Sequence, residues 1–301
     1  MLRWRLLLGT LIIATLVGLC WLDAHADALA SGTHDQKADA HAGMSGMWLL
    51  PVAVAVTLLA TKELLDLLAA AGMRPIPWVV YLMNVLLVVS PWMWKSDILL
   101  RLFVPDIMSN IALPVVVIFL AEMCRYRKPG GNTANVAAGI FALIYVGMML
   151  HAAVVLRLGW GVGALVSWIV VVKMGDTGAY TIGRLIGRHK LAPSISPGKT
   201  IEGAVAALAF SCLGSWLTFH WLVLPESIEP PPRWGWIAFG LLVGAAGIVG
   251  DLAESLLKRD VGRKDSNDWL PGFGGVLDIL DSLLLSAPVA CFCWATDLIG
   301  G

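Results

Sequence analysis

Long apolar stretches separated by short polar segments run along most of the chain. A hydrocarbon core about 30 Å thick is crossed by roughly 20 apolar residues of α-helix, and stretches near that length recur throughout the sequence. The pattern predicts an all-α polytopic membrane protein with about nine transmembrane helices. The predicted spans are residues 4–22, 47–66, 77–94, 98–122, 135–156, 159–174, 203–224, 235–257 and 276–298.

Composition agrees with a membrane protein. Of the 301 residues, 58% are hydrophobic and 14% are charged, and the mean hydropathy is +0.79, far above the range of soluble domains. The 21 basic residues balance the 21 acidic residues, so the net charge does not indicate nucleic acid, and no nucleic-acid partner is expected. The five cysteines lack the paired spacing of a zinc site or a disulfide framework, and we interpret them as small apolar residues.

The placement of the basic residues predicts the orientation of the spans. With a cytoplasmic N-terminus, sixteen of the 21 Lys and Arg residues fall on the cytoplasmic side and five on the other, in agreement with the positive-inside rule. The two long polar segments, 175–202 and 258–275, then both face the cytoplasm. We expect a multi-pass protein of the inner (plasma) membrane.

Three regions are expected along the chain. Residues 1–46 hold the first span and an outer loop, residues 47–158 hold the N-terminal transmembrane helices, and residues 159–301 form a C-terminal catalytic region containing both cytoplasmic loops. The apolar run near the N-terminus, followed by Ala24-His25-Ala26, also fits a cleavable signal peptide. Either interpretation leaves the orientation of the later spans unchanged.

Acidic residues in the last two predicted spans are the strongest functional signal. A carboxylate near the bilayer centre costs roughly 2.5–3.5 kcal/mol, so such residues usually face a cavity. Asp251 and Glu254 lie three residues apart, on one helix face, and Asp278 and Asp281 repeat that spacing. Repulsion between two such pairs is relieved by a hard cation such as Mg²⁺, which prefers oxygen ligands.

A structural alternative exists for both acidic pairs. In it, Lys258 and Arg259 neutralise the first pair, and the second pair only favours a helix N-terminus. The neighbouring Gly274-Gly275 argues for chemistry instead, because glycine lets a backbone approach a phosphate closely.

Two segments before the seventh predicted span carry residues suited to a polyphosphate. Asp176-Thr177-Gly178-Ala179-Tyr180 ends the sixth predicted span, and Ser196-Pro197-Gly198-Lys199-Thr200 precedes Glu202-Gly203. A lysine, hydroxyls and unpaired N–H groups at a helix N-terminus suit phosphate binding. Gly198-Lys199-Thr200 is similar to the end of a P-loop, but Pro193 stands where that motif requires glycine, which argues against a P-loop NTPase.

A longer motif follows in the second loop and the ninth span. It consists of Ser255-Leu256-Leu257-Lys258-Arg259, Lys264-Asp265, Leu270-Pro271-Gly272, Gly274-Gly275 and Asp278 with Asp281. Together with the two upstream segments, it resembles the signature of the phosphatidate cytidylyltransferase (CDP-diacylglycerol synthase) family over about residues 165–298. Three positions depart from the family pattern: histidine, arginine and a small residue are replaced by Phe273, Ile279 and Asn267.

The resemblance implies that CTP and phosphatidate react at the cytoplasmic face to give CDP-diacylglycerol and pyrophosphate. It also implies Mg²⁺ together with a second cation, and a homodimer. The expected catalytic residues are Asp278, Asp281, Asp251, Lys258, Lys264 and Asp265, and the expected metal ligands are Asp278 with Asp251 or Asp281. The expected substrate-binding residues are Asp176, Ser196, Lys199, Thr200, Glu202, Arg259, Gly274 and Gly275.

Two other functions stay open at this point. Another CTP-dependent lipid enzyme, such as a polyprenol kinase or an ether-lipid CDP synthase, is compatible with the changes at Phe273 and Ile279. An ion-coupled transporter also carries intramembrane acids, but the sequence shows no internal repeat and concentrates Lys, Asp and Gly in two loops on one side.

Overall fold

The computed structural model describes residues 2–31, 46–96, 107–221, 234–267, 274–296 and 298. Most of these residues are helical, and a helix overlaps each of the nine predicted spans. The helices are α1 (Leu2–Ser31), α2 (Leu50–Ala70), α3 (Pro77–Ser96), α4 (Ile107–Arg125), α5 (Asn132–Ala142), α6 (Met149–Ile186), α7 (Ile201–Trp221), α8 (Gly235–Asp260) and α9 (Val276–Ala295).

Four helical stretches in the described part of the chain are long and apolar enough to cross a membrane. They are Asn132–Ile186, Ile201–Trp221, Gly235–Asp260 and Val276–Ala295. A shorter apolar helix covers Pro77–Met93. These stretches support an integral membrane protein, as predicted, whereas the count of nine spans and the cytoplasmic N-terminus stay predictions.

The stretch Asn132–Ile186 joins the fifth and sixth predicted spans. A π-helical segment, Leu143–Met148, links α5 to α6 without a loop. Within α6 the helix is broken at Gly161, whose φ of 84° and ψ of −177° are not helical. Glycine adopts this positive φ without the steric cost that other residues carry, so the two predicted spans meet at a glycine break.

The segment predicted as loop 175–202 has regular structure over most of its length. Helix α6 continues to Ile186, and the antiparallel strands β1 (Lys190–Ala192) and β2 (Ser196–Thr200) follow it. The prediction of an all-α fold was therefore wrong at this hairpin. The helix was predicted to end where polar residues begin, but those residues line a cavity, so their polarity does not end the helix.

The described residues form two compact units. The first comprises Met1–Val154 and Asp265–Leu277. Its buried core contains Val79, Met83, Leu87, Ile118 and Leu143. The Asn84 amide donates a buried hydrogen bond of 2.8 Å to the Thr61 hydroxyl, which ties α3 to α2.

The second unit comprises Val155–Lys264 and Asp278–Gly301. Its helices approach closely at small residues: a Cβ at Gly240 on α8 would lie 2.6 Å from the Cα of Cys212 on α7. Small residues permit such close approach between helices in lipid. The Trp168 indole on α6 donates a 2.9 Å hydrogen bond to the Ser286 hydroxyl on α9, so α6 and α9 are also joined.

Candidate active site

A cavity of about 780 Å³ lies within the second unit. It is bounded by the C-terminal half of α6, the β1–β2 hairpin, and parts of α7, α8 and α9. Seven of the predicted site residues line it, from all three motif segments: Asp176, Ser196, Lys199, Thr200, Asp251, Asp278 and Asp281.

Close packing of α6 on α7 brings the first motif to this cavity. A Cβ at Gly178 would lie 2.5 Å from the Phe210 Cγ, and one at Gly175 would lie 2.5 Å from the Ser211 hydroxyl oxygen. Neither position has room for a side chain without displacement of its neighbour. The helix face that carries Asp176 and Tyr180 therefore lines the cavity beside the hairpin.

Lysines hold two of the cavity carboxylates. Lys199 on the hairpin forms an ion pair of 2.7 Å with Asp251 on α8. Lys258, one turn beyond Glu254 on α8, contacts that buried carboxylate at 2.8 Å and Asp278 on α9 at 2.6 Å. These contacts fix α8, α9 and the hairpin relative to one another inside the unit.

The alternative in which basic residues on the same helix neutralise Asp251 and Glu254 therefore applies only in part. The Lys258–Glu254 pair exists, but Asp251 pairs with Lys199 rather than with a neighbour on its own helix. Arg259 instead donates hydrogen bonds to the carbonyl oxygens of Ile195 and Arg263, at 3.3 and 3.2 Å.

A hydroxyl links the other two cavity aspartates. Ser282 Oγ lies 2.8 Å from an Asp281 carboxylate oxygen and 3.0 Å from Asp176, so its one proton is shared between two acceptors. Lys173 donates to Asp176 at 3.0 Å and to the Ile279 carbonyl at 3.2 Å. The side chains of α6 and α9 therefore form one polar network along the cavity wall.

Arg184, a third basic residue of the cavity lining, contacts a neutral side chain. Its guanidinium donates a 2.6 Å hydrogen bond to the hydroxyl of the exposed Tyr180, one turn earlier on α6. Lys173 and Lys199, the other basic residues of the cavity lining, each contact an aspartate. Among the described lining residues, Arg184 is thus the cation whose polar partner is neutral.

Sequence reasoning missed Lys173, Arg184 and Ser282. The sequence did contain a signal for Lys173 and Arg184. Positions 173, 176, 180 and 184 are three or four residues apart, which places their side chains on one face of a helix. This signal went unused because the helix was expected to end near residue 174.

The remaining predicted residues lie elsewhere. Glu202 accepts hydrogen bonds from the Arg188 and His189 amides and from the His189 ring, so it closes the turn between α6 and the hairpin. Lys264 and Asp265 are exposed, and Asp265, Gly274 and Gly275 belong to the first unit. Phe273 lies outside the described residues. The roles of all these residues stay predictions.

The donor chemistry of the cavity fits a hard cation, although the described residues form no ready-made centre. Four aspartates line it, and the negative charges of Asp251 and Asp281 repel each other. Carboxylate oxygens are the ligands that Mg²⁺ prefers. In the described part of the chain, however, no three His, Cys, Asp or Glu side chains converge as a metal site, and the metal stays a prediction.

Comparison with known proteins identifies the family. Residues 40–296 match the Cytidylyltransferase family. A protein named phosphatidate cytidylyltransferase from Staphylococcus haemolyticus is 31% identical over 82% of this chain and 89% of its own length. Proteins of the same name from Staphylococcus saprophyticus and Haemophilus influenzae are 30% and 32% identical, over 81% and 65% of this chain and 88% and 57% of their own lengths. The resemblance predicted from the motifs is confirmed, and the chain belongs to the cytidylyltransferase family of nucleotide-transferring enzymes.

Proposed function

We propose that this protein transfers a cytidylyl group from CTP to phosphatidate, forming CDP-diacylglycerol and pyrophosphate for phospholipid synthesis. The observation that carries the proposal is that residues of all three motif segments meet in one cavity. The names of the relatives favour phosphatidate as the acceptor.

The reaction needs alignment more than proton transfer. A phosphate oxygen of phosphatidate attacks the α-phosphorus of CTP, a new P–O bond forms, and the bond from the α-phosphorus to the bridging oxygen breaks. Pyrophosphate leaves with that oxygen and its electron pair. Since the nucleophile is already anionic, the protein must chiefly hold two polyanions together and neutralise their charge.

The cavity residues are suited to that task. Lys199 and Arg184 line the cavity and are proposed to bind the phosphates of CTP, with Ser196 and Thr200 beside them. Lys258 holds Asp278 in place through its 2.6 Å contact. Asp278 with Asp251 or Asp281 is proposed to bind Mg²⁺, which would supply positive charge to the reacting phosphates, and the family resemblance adds a second cation.

The site is proposed to face the cytoplasm of the inner membrane. The sixteen-to-five distribution of basic residues supports this orientation, with the hairpin and the segment after α8 on the cytoplasmic side. CTP is a soluble nucleotide, whereas phosphatidate reaches the site from the bilayer. A cavity formed by transmembrane helices and one polar hairpin suits such a pair of substrates.

The test is an assay of the purified full chain with CTP, Mg²⁺ and one lipid acceptor at a time. With phosphatidate we expect equal amounts of pyrophosphate and CDP-diacylglycerol. Release of CDP with a polyprenol acceptor would identify a kinase instead, and activity confined to an ether-linked acceptor would identify a different lipid specificity. A protein that releases neither pyrophosphate nor CDP would contradict the proposal and favour the transporter alternative.

A further inference from the structure

Glu63 is a buried carboxylate from the first half of the chain, where the sequence indicated only generic spans. It lies on α2 with 1% of its surface exposed. Its Oε1 accepts a 2.9 Å hydrogen bond from the Val276 amide. Its Oε2 accepts hydrogen bonds from the Leu277 amide at 2.7 Å and from the Ser266 hydroxyl at 2.9 Å. All these residues belong to the first unit.

Val276 and Leu277 are the first two residues of α9. The first N–H groups of a helix have no acceptor inside the helix, and the Glu63 carboxylate provides one for each. Its negative charge also lies at the positive end of the helix dipole. Because a buried charge is costly unless it is hydrogen-bonded, these contacts hold both the carboxylate and the helix start in place.

Gly275 is explained by the same contact. A Cβ at this position would overlap the Glu63 carboxylate and the Ser266 hydroxyl, so glycine is needed for the approach of Glu63. The sequence predicted a phosphate beside this glycine. The anion that the structure places there is a side chain of the protein itself.

Asp278 directly follows Leu277, and Asp281 lies one turn further along α9. We propose that Glu63 is a positioning residue: by holding the first two amides of α9, it fixes the start and rotation of the helix and thereby the direction of both aspartates. The inference rests on the proposed function for the work of these aspartates in cytidylyl transfer. The contact of Glu63 with α9 does not depend on it.

The first test is Glu63→Gln in the full chain. Glutamine has nearly the size of glutamate, but one carboxylate oxygen is replaced by an NH₂ group. Both oxygens of Glu63 accept hydrogen bonds, so the NH₂ group would face a hydrogen-bond donor and could not accept from it. A small misplacement of catalytic groups costs about a hundredfold in rate, so kcat should fall by that order while KM for CTP stays within about threefold. Hydrogen exchange of the amides at 276–281 should become faster, which is a readout independent of activity.

Glu122→Gln is the matched control. Glu122 is also a buried carboxylate of the first unit, with 3% exposure, and it accepts a 3.2 Å hydrogen bond from the Ile76 amide. A purely structural role would make both variants lose thermal stability with similar effects on kcat. The proposal is wrong if Glu63→Gln lowers kcat no more than Glu122→Gln does, or if amide exchange in α9 is unchanged.

A double-mutant cycle keeps the test decisive. Gly275→Ala should lower kcat alone because its Cβ displaces Glu63 and the Ser266 hydroxyl. It should cost little more in a Glu63→Ala background, where Ser266 has lost its hydrogen bond to Glu63 and can rotate away from the added Cβ. Additive losses would overturn the proposal.

If Glu63→Gln does not fold, Ser266→Ala removes one of the three hydrogen bonds and must show the same loss of kcat on a smaller scale. A wild-type protein without CTP-dependent activity would refute the proposed function, and the exchange measurement would then decide the role of Glu63.

Discussion

At the scale of single residues, two of the cavity aspartates form ion pairs with lysines. Lys199 contacts Asp251, and Lys258 contacts Asp278. A phosphate that enters the cavity competes with Asp251 for Lys199, and we expect substrate binding to release this carboxylate. Such an exchange would keep Lys199 paired with an anion both before and after the substrate binds.

Asp278→Asn tests whether this carboxylate acts in the chemistry. Asparagine has nearly the same size but lacks the charge needed to hold a divalent cation, so we expect a folded protein with a loss of roughly a thousandfold in rate. If the residue only stabilises the helix start and contacts Lys258, the loss should appear as about 3–5 kcal/mol of stability, because this ion pair is largely buried, with little effect on the turnover of the folded protein. Mg²⁺-dependent CDP-diacylglycerol formation measured alongside Tm separates the two cases.

Glu254→Gln is the control for that experiment, since it removes the other carboxylate bound to Lys258 but alters no residue of the cavity lining. It should reduce Tm and leave most of the turnover. Should Asp278→Asn keep more than about a tenth of wild-type turnover at saturating Mg²⁺, the metal-ligand role would be withdrawn, because loss of a metal ligand costs far more.

Arg184→Gln tests the cation that has a neutral partner. A hydrogen bond to a charged group contributes about 1.5–3 kcal/mol, so removal of the guanidinium should raise KM for CTP about tenfold or more, with the KM for phosphatidate less affected. Arg188→Gln, one turn later and absent from the cavity lining, should leave both constants near wild type. An increase confined to the KM for phosphatidate would instead assign Arg184 to the lipid phosphate.

At the scale of elements, hydropathy predicted where helices lie but not where every helix ends. Apolar length is enough to locate α7, α8 and α9, because burial in lipid demands it. Helix α6 extends to Ile186 through residues whose polar side chains face a cavity, and hydropathy cannot distinguish such a helix from a loop. The β1–β2 hairpin was missed for a related reason, since its strands contain only three and five residues.

Gly178→Ala tests whether the close packing of α6 on α7 is needed. The added Cβ would meet the Phe210 ring at 2.5 Å, and overpacking of this kind costs about 1–3 kcal/mol. We expect a lower Tm and reduced turnover, because the face carrying Asp176 is moved. Gly159→Ala on the same helix is the control: nothing lies within 4 Å of its Cβ, so stability should hold or rise slightly. Equal Tm values for the two variants would contradict this account.

At the scale of the whole molecule, the sequence pointed to seven of the residues that line the cavity, but it did not indicate Glu63. Its partners lie in the segment 266–277, about two hundred positions away, and no local pattern links the two.

The homodimer implied by the family resemblance stays a prediction. The division of the chain into three regions is likewise a prediction, and the two compact units cut across it by placing residues 265–277 with the first half of the chain.

The orientation in the membrane is the broadest prediction, and cysteine labelling tests it. In a protein cleared of its five native cysteines, single cysteines at Ser194 and Arg263, both exposed, should resist an impermeant thiol reagent in intact cells and react after permeabilisation. Ser266 is unsuitable because it is 2% exposed and bonded to Glu63, so it would resist the reagent from either side. A cysteine at Ser227, outside the described residues but in a predicted outer loop, should react in intact cells. The prediction rests on the positive-inside rule, which favours the orientation with sixteen of the 21 basic residues on the cytoplasmic side, together with positions 194 and 263. Labelling of these two positions from outside, with protection at Ser227, would show that the topology is the inverse of the predicted one.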